Sequence, residues 1–421
     1  MPLLYVRARP EIDLLALQTA IEPYHELKEG DTRASEWPDN GLGFNNARAG
    51  LKWLLTRLRA QRQKSLRVGV QVLTCPVVLS AILESGNVPV FLDISQEHLS
   101  SPLSEVSRSS VEVLILTHLS GIPNPDYADI ATECKRRDVL LIEDVAQTWG
   151  ASVCGAKVGT LGDVTLLSFG FDKPISAFRG GMLWVNESGV LPKLLPELHR
   201  DYQALPQEAS ASAAGDLYRL SLYYALTEPH TYQASLNYYS LADAISVRQG
   251  KSVERIQREF GILQSLPAYR VFDRIYGKAC EWFPIRVQRL GEPKKRYLAT
   301  LFATYESVAE RRRQVALRAR AYLEMDMPDL EFPGNPGSAT TAPCRLTALA
   351  HSSSERNDVI ARLRDRGIET GGFNWSCLAM EPFHPLVFIH GLASQASQFP
   401  HAKDVSSRIL NLPIWSESIW A

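Results

Sequence analysis

The sequence predicts an α/β layered protein: a mostly parallel β-sheet with helices on both faces, followed by a small C-terminal α/β unit. Three observations carry this. Between residues 45 and 186, helix-period and strand-like segments alternate. The strand segments are continuous apolar runs, as strands covered on both faces require. The alternation then stops, and resumes only after a Pro/Gly-rich connector at residues 328–343.

The elements follow in order. Residues 46–62 carry Leu51, Leu54, Leu55 and Leu58, the i, i+3, i+4, i+7 stripe of an amphipathic helix. Residues 68–73 read as a strand. Pro76 opens the next helix at a position where its missing N–H costs nothing, and Gly86 ends it. Strands are expected at 88–94, 111–117 and 139–144, with a helix at 126–137 between the last two, and further strands at 164–169 and 181–185. From 188 to about 293 the regular alternation is lost, and the Tyr-, Arg-, Ala- and Ser-rich segment reads as mainly helical. A basic helix at 306–325 contains Arg311, Arg312 and Arg313, expected to form a solvated face. Beyond the connector, Ser354 is expected to cap a helix with Val359, Ile360 and Leu363 on one face, closed by Gly367. The expected units are an N-terminal segment (1–44), a large α/β domain (45–187), a divergent helical insertion (188–293), and a linking helix with the small domain (294–421).

A length of 421 residues is a soft prior for two to three domains. Lys and Arg number 45 against 46 Asp and Glu, a net charge of -1, which argues against a nucleic-acid groove binder. Apolar residues at 45% and charged residues at 22% are the mix of an ordinary globular protein. No apolar run approaches the ~20 residues of a membrane span, and the start lacks the pattern of a secretory signal. Cys75, Cys134, Cys154, Cys280, Cys344 and Cys377 show no metal-ligand spacing and read as reduced thiols. The expectation is a cytoplasmic protein without metal, membrane or nucleic-acid partner.

Three clusters fall at the ends of expected elements, where open α/β sheets bind ligands. Asn45-Asn46-Ala47-Arg48-Ala49-Gly50 opens a helix, so its small residues let an anion reach free N–H groups at the positive end of the helix dipole. A plain polar helix cap explains the same residues. Glu143-Asp144-Val145-Ala146-Gln147 ends an apolar strand; a carboxylate buried there needs a cation or a donor, unless Asp144 is only a helix cap. Ser168-Phe169-Gly170-Phe171-Asp172-Lys173 sets a lysine between two buried strands, whereas most lysines are solvated. Lysine forming a Schiff base with an aldehyde, together with aspartate facing a pyridinium nitrogen, is the pair that pyridoxal phosphate requires. Asp144 and Lys173 supply both.

The ordered run resembles the DegT/StrS family of pyridoxal-phosphate aminotransferases, many of which act on nucleotide-linked keto sugars. The matching text is N-A-R-A-G-L at 46–51, G-x-x-P-V-F-L-D at 86–93 and H-L-S-G at 118–121. It continues with L-I-E-D-V-A-Q-T-W-G-A at 141–151, K-V-G-T-L-G-D at 157–163 and S-F-G-F-D-K at 168–173. This covers roughly a third of the chain. A fainter match over 310–323, 367–370 and 399–413 resembles the family's small domain.

The resemblance implies the type I aminotransferase fold, a homodimer, and amino transfer from a donor such as glutamate to a keto group on a nucleotide-linked sugar. It implies Lys173 as the Schiff-base lysine and proton shuttle, Asp144 holding the ring nitrogen protonated, and Gln147 beside the ring. Ser168 and the backbone at Ala47 and Arg48 would hold the phosphate. Cys75 stands where the family usually has an aromatic stacked on the ring. The segment 188–293 is longer than usual and lacks the family's Asn- and Arg-bearing motif, for which residues 236–239 are the only stand-in. The usual last helix is short or absent. His118, Arg179, Trp375 and His384 are candidate substrate contacts. For these, the alternatives are a structural hydrogen bond, a surface salt bridge and, for the last two, core packing. Aromatic residues between 269 and 283 suit either a lid or ordinary helix packing. Two other functions stay open: non-transamination chemistry such as elimination on the same cofactor, and a non-enzymatic sensor or scaffold.

Overall fold

The computed structural model describes residues 9, 11–21, 37–186, 195–229, 285–334, 341–370 and 398–420. Trp375, His384, Cys280, Cys377, residues 236–239 and residues 269–283 lie outside them.

Seven strands form the central sheet: β1 (Gly41–Phe44), β2 (Arg67–Gln71), β3 (Val88–Leu92), β4 (Val113–Thr117), β5 (Leu140–Asp144), β8 (Val164–Ser168) and β9 (Gly181–Val185). A short hairpin, β6 (Ser152–Val153) with β7 (Ala156–Lys157), sits apart. The sheet order is β1-β9-β8-β5-β4-β2-β3. β3, β2, β4, β5 and β8 are mutually parallel, β9 is antiparallel to β8, and β1 is antiparallel to β9. β1 therefore runs in the direction of the parallel set. Because β3 and β4 flank β2 on opposite sides, the strand order reverses there, which opens a crevice at the carboxyl edge.

Helices α1 (Leu14–Ile21), α2 (Ala47–Arg62), α3 (Pro76–Glu84), α4 (Leu103–Arg108), α5 (Tyr127–Arg136), α6 (Leu195–Gln203) and α7 (Ser210–Leu226) surround the sheet. The Leu51, Leu54, Leu55 and Leu58 stripe of α2 is buried against Val68, Val70 and Ile82. Tyr127, Ile130 and Cys134 of α5 pack on Leu114, Leu116 and Leu141 in a second core. Apolar area removed from water at ~25 cal/mol per Å² drives both.

The linking helix α8 (Glu292–Asp326) is 35 residues long and starts well before residue 306, the expected boundary. Its first turns bury Lys294, whose Nζ meets Glu208 at 2.8 Å and Asp216 at 2.7 Å. That pairing lets a lysine occupy a core position, which the periodicity of the sequence does not reveal. The arginine run departs from a solvated face in the same way. Arg311 is exposed, but Arg312 is only 4% exposed, donating to the carbonyls of Cys344 and Arg9.

In the small domain, β10 (Leu346–Leu349) pairs antiparallel with β11 (Ile409–Leu412), beside α9 (Ser353–Asp365) and α10 (Pro400–Arg408). Ser352, not Ser354, caps α9: its hydroxyl accepts from the Glu355 N–H at 3.1 Å, while the Glu355 carboxylate accepts from the His351 N–H. Leu346, Val359, Leu363, Leu410 and Trp420 form the core of this unit with Val315 and Leu323 of α8.

Candidate active site

The shared strand direction brings six loci to one sheet edge: Cys75 beyond β2, His118 beyond β4, Asp144 ending β5, Ser168 ending β8, Gly181 opening β9, and the start of α2 beyond β1. Register pairs Thr117 with Asp144 and Ser168 with Gly181.

The start of α2 is an anion cradle. Asn46 caps the helix, its Oδ1 accepting from the Ala49 N–H at 2.9 Å. The first-turn N–H groups of Ala47 and Arg48 have no carbonyl a turn earlier to meet. A Cβ on Gly181 would fall 2.3 Å from the Ala47 Cα, so only glycine lets β9 pass this close beneath the helix start. Ser168, opposite Gly181, brings its hydroxyl to the same neighbourhood.

Asp144 is 6% exposed, and its Oδ1 accepts from the Ala146 N–H at 3.1 Å. Burial pushes its carboxyl pKa up, opposed in part by that N–H and by the charges of Lys173 and His118. Lys173 is 9% exposed, on the loop between β8 and β9, with its own N–H bonded to the Gly170 carbonyl at 3.0 Å. Cys75, the N-cap of α3, lies where the charges of Lys173, Asp144 and Asp172 all reach it. Burial pushes its thiol pKa up, so the group behaves as a small neutral side chain. Gln147 is buried, its Oε1 accepting from the Ser120 N–H at 3.2 Å and from the Cys344 thiol at 3.6 Å.

The remaining candidates separate. His118 has no exposed surface. Its Nδ1 accepts from the Asn124 N–H at 3.0 Å, and its Nε2 lies 3.7 Å from Glu143 Oε2. Glu143 is equally buried and accepts N–H groups from Gly159, Leu161 and Gly162. His118 therefore braces the sheet edge, its N–H bonded to the Asp144 carbonyl, and has no face for a substrate. Arg179 is exposed and lies 3.4 Å from Asp216 of α7, the surface salt bridge that was one of its two readings.

Two residues that sequence reasoning left unassigned enter the site. Asp172 Oδ2 lies 3.3 Å from Lys173 Nζ and 3.3 Å from Nη2 of Arg345, which directly precedes β10. Burial alone would raise the Asp172 carboxyl, but the two cations outweigh it and hold its pKa at about 2. Asp172 stood in the quoted lysine motif. Arg345 carried no local signal, being 173 positions away.

The donor set suits one small molecule with a phosphate, a basic ring nitrogen and a carbonyl carbon. Unpaired helix N–H groups and a hydroxyl face the first, a buried carboxylate with a single backbone donor suits the second, and a buried amine suits the third.

Residues 37–201 match the sequence model of the DegT/DnrJ/EryC1/StrS aminotransferase family. The chain is 32% identical over 129 residues to GDP-perosamine synthase of Vibrio cholerae, covering 30% of this chain and 35% of that protein. It is 32% identical over 139 residues to a dTDP-4-dehydro-2,3,6-trideoxy-D-glucose 4-aminotransferase of Saccharopolyspora spinosa, covering 32% and 35%. The matched stretch thus spans about a third of the length of these curated relatives. The sugar aminotransferase CalS13 of Micromonospora echinospora superposes with a TM-score of 0.65 at 18% identity, over 99% of this chain and 97% of that one. The chain therefore has the type I aminotransferase fold, with its large, mostly parallel sheet and small C-terminal unit.

Proposed function

We propose that this chain is a pyridoxal-phosphate-dependent aminotransferase of the DegT/StrS kind, passing an amino group from an amino-acid donor, glutamate foremost, to a keto group on a nucleotide-linked sugar. The observation that carries this reading is the meeting of Lys173, Asp144 and the Ser168–α2 cradle at one sheet edge. The names of the matched relatives supply the acceptor class.

Ser168 and the N–H groups of Ala47 and Arg48 would hold the phosphate, Asp144 the ring nitrogen, and Lys173 the carbonyl carbon; Gln147 and Cys75 would flank the ring. When bound, the cofactor supplies a carbon that takes amines covalently and a ring that accepts the electrons released as the substrate's C–H bond breaks. Asp144 would hold a proton on the ring nitrogen, because an ionised carboxylate this deeply buried needs a cation against it. Lys173 Nζ would be the base that takes the proton from the substrate Cα and carries it across the site. The low exposure of Lys173 and Asp144 limits water at that step.

Borohydride treatment of the purified protein followed by peptide mapping is expected to find the cofactor fixed on Lys173. Lys173→Ala is expected to lose the cofactor absorption band and all turnover. Without a donor, transfer should stop after one half-reaction; product formed continuously without donor, or cofactor attached elsewhere, overturns the reading.

We assign a second copy of this chain to the apolar face of α1 and α7. Leu14, Leu15, Tyr218 and Leu222 are exposed there, and Phe171 of the lysine loop rests on Tyr223 of α7 at a ring distance of 5.5 Å. Large apolar side chains left in water favour a partner surface. We also assign the chain to the cytoplasm, in keeping with the free thiols Cys75, Cys134, Cys154 and Cys344.

A further inference from the structure

Gln147 is 6% exposed, and the orientation of its carboxamide is fixed by what surrounds it. Its Oε1 accepts from the Ser120 N–H at 3.2 Å, and a backbone N–H can only donate. A flipped amide would set two donors against each other, so the oxygen faces Ser120 and the NH2 group faces away. The turn beyond β4 that carries this N–H is built from Ser120 and Gly121, at φ 56° and 84°.

A second donor reaches the same oxygen from the segment that leads into the small domain. Cys344, 8% exposed and two residues before β10, places its Sγ 3.6 Å from Gln147 Oε1. The Arg345 guanidinium reaches that sulfur as well as Asp172. A guanidinium only donates and an amide oxygen only accepts. The sulfur between them therefore carries its proton, accepting from Arg345 and donating S–H to Gln147. Backbone contacts hold the segment there. The Ala342 N–H bonds to the Gly121 carbonyl at 3.2 Å, and a Cβ on Gly121 would fall 2.2 Å from the Pro343 Cα. Tyr305 of α8, the other titratable neighbour of the thiol, is pushed well above its usual range by burial and stays neutral.

We propose that Cys344 is a positioning residue: its thiol and the Ser120 N–H together lock the Gln147 carboxamide with its NH2 group turned toward the cofactor ring. This rests on the aminotransferase reading above. With the ring nitrogen at Asp144 and the phosphate on the α2 cradle, the acceptor left on the ring is the phenolic oxygen. A donor at that oxygen favours its ionised form, and so makes the Lys173 nitrogen joined to the cofactor less basic. Cys344 stands just ahead of the first strand of the small domain. Seating that unit against Gly121 therefore supplies the second donor, and the group beside the ring depends on the docking of the small domain.

The pH at which the absorption band of the substrate-free holoenzyme changes reads this arrangement. Cys344→Ala is expected to raise that midpoint by about 0.3 pH unit or more, the lower end for one neutral hydrogen bond. Cys344→Ser, which keeps a donor, should restore most of the wild-type midpoint. Gln147→Ala should raise the midpoint further, and Cys344→Ala should add nothing on that background, because the thiol acts through the amide. An unmoved midpoint in Cys344→Ala overturns the proposal, as does an equal rise on the Gln147→Ala background, which would give the thiol an effect of its own. Cys344→Ser no better than Cys344→Ala also overturns it, leaving the thiol a packing role. A midpoint that responds as expected in a protein that transfers no amine upholds the positioning role and overturns the aminotransferase reading; amine transfer with an unmoved midpoint does the reverse.

Discussion

Asp144 and Asp172 are two carboxylates at one site with opposite acidities, and the difference is set by what surrounds each. Asp144 is buried with one N–H donor, and burial raises its pKa. A carboxyl raised in the folded state costs stability once the pH passes its unfolded value near 3.9, and the cost persists at neutral pH. Asp144→Asn is therefore expected to raise the Tm of cofactor-free protein at pH 7 while lowering turnover about 100-fold or more, as calorimetry and steady-state rates would record. Asp172 is held at about 2 by Lys173 and Arg345 against the opposing effect of burial. A carboxyl lowered in the folded state contributes stability above its unfolded value that is lost as pH falls toward the folded one. The stability difference between wild type and Asp172→Asn should thus be constant near neutrality and shrink between about pH 4 and pH 2, measured by urea unfolding at each pH. Both aspartates stand in motifs visible in the sequence. Their acidities are not visible there, because burial and distant cations decide them.

At the scale of elements, the cradle depends on β9 passing under α2. Gly181→Ala puts a methyl 2.3 Å from the Ala47 Cα, against backbone that cannot rotate away. The expected result is a loss of about 1–3 kcal/mol in stability together with weaker cofactor retention, read from urea unfolding and from a cofactor titration. The α2 stripe and the β9 bounds of Gly181–Val185 were legible because local periodicity and apolar runs write them directly. β1 was not: Gly-Leu-Gly-Phe has two residues of low strand propensity, and it becomes a strand only because β9 offers it an edge. Helix α8 hid its true start for a related reason. Lys294 reads as polar, yet Glu208 and Asp216 arrive from other elements to pair with it.

At the scale of the whole molecule, Leu14 and Leu15 of α1 and Tyr218 and Leu222 of α7 are exposed, and Phe171 of the lysine loop meets Tyr223 of α7. Leu15→Glu combined with Leu222→Glu is expected to convert a dimer to a monomer in light scattering and to lower turnover, whereas unchanged mass would remove this face as the interface. Among the described residues no helix is long and apolar enough to cross a membrane. The sequence by itself determined the layered α/β order, the strand ends that carry Asp144 and Ser168, and the loop that carries Lys173. Each depends on neighbours a few residues apart, through apolar runs, turn residues and helix caps. Only the tertiary structure decided that Arg345 meets Asp172, that Arg312 is buried and that His118 faces inward. Those outcomes depend on which distant segments the folded chain brings into contact, and on the need of every buried charge or polar atom for a partner, wherever in the sequence that partner lies.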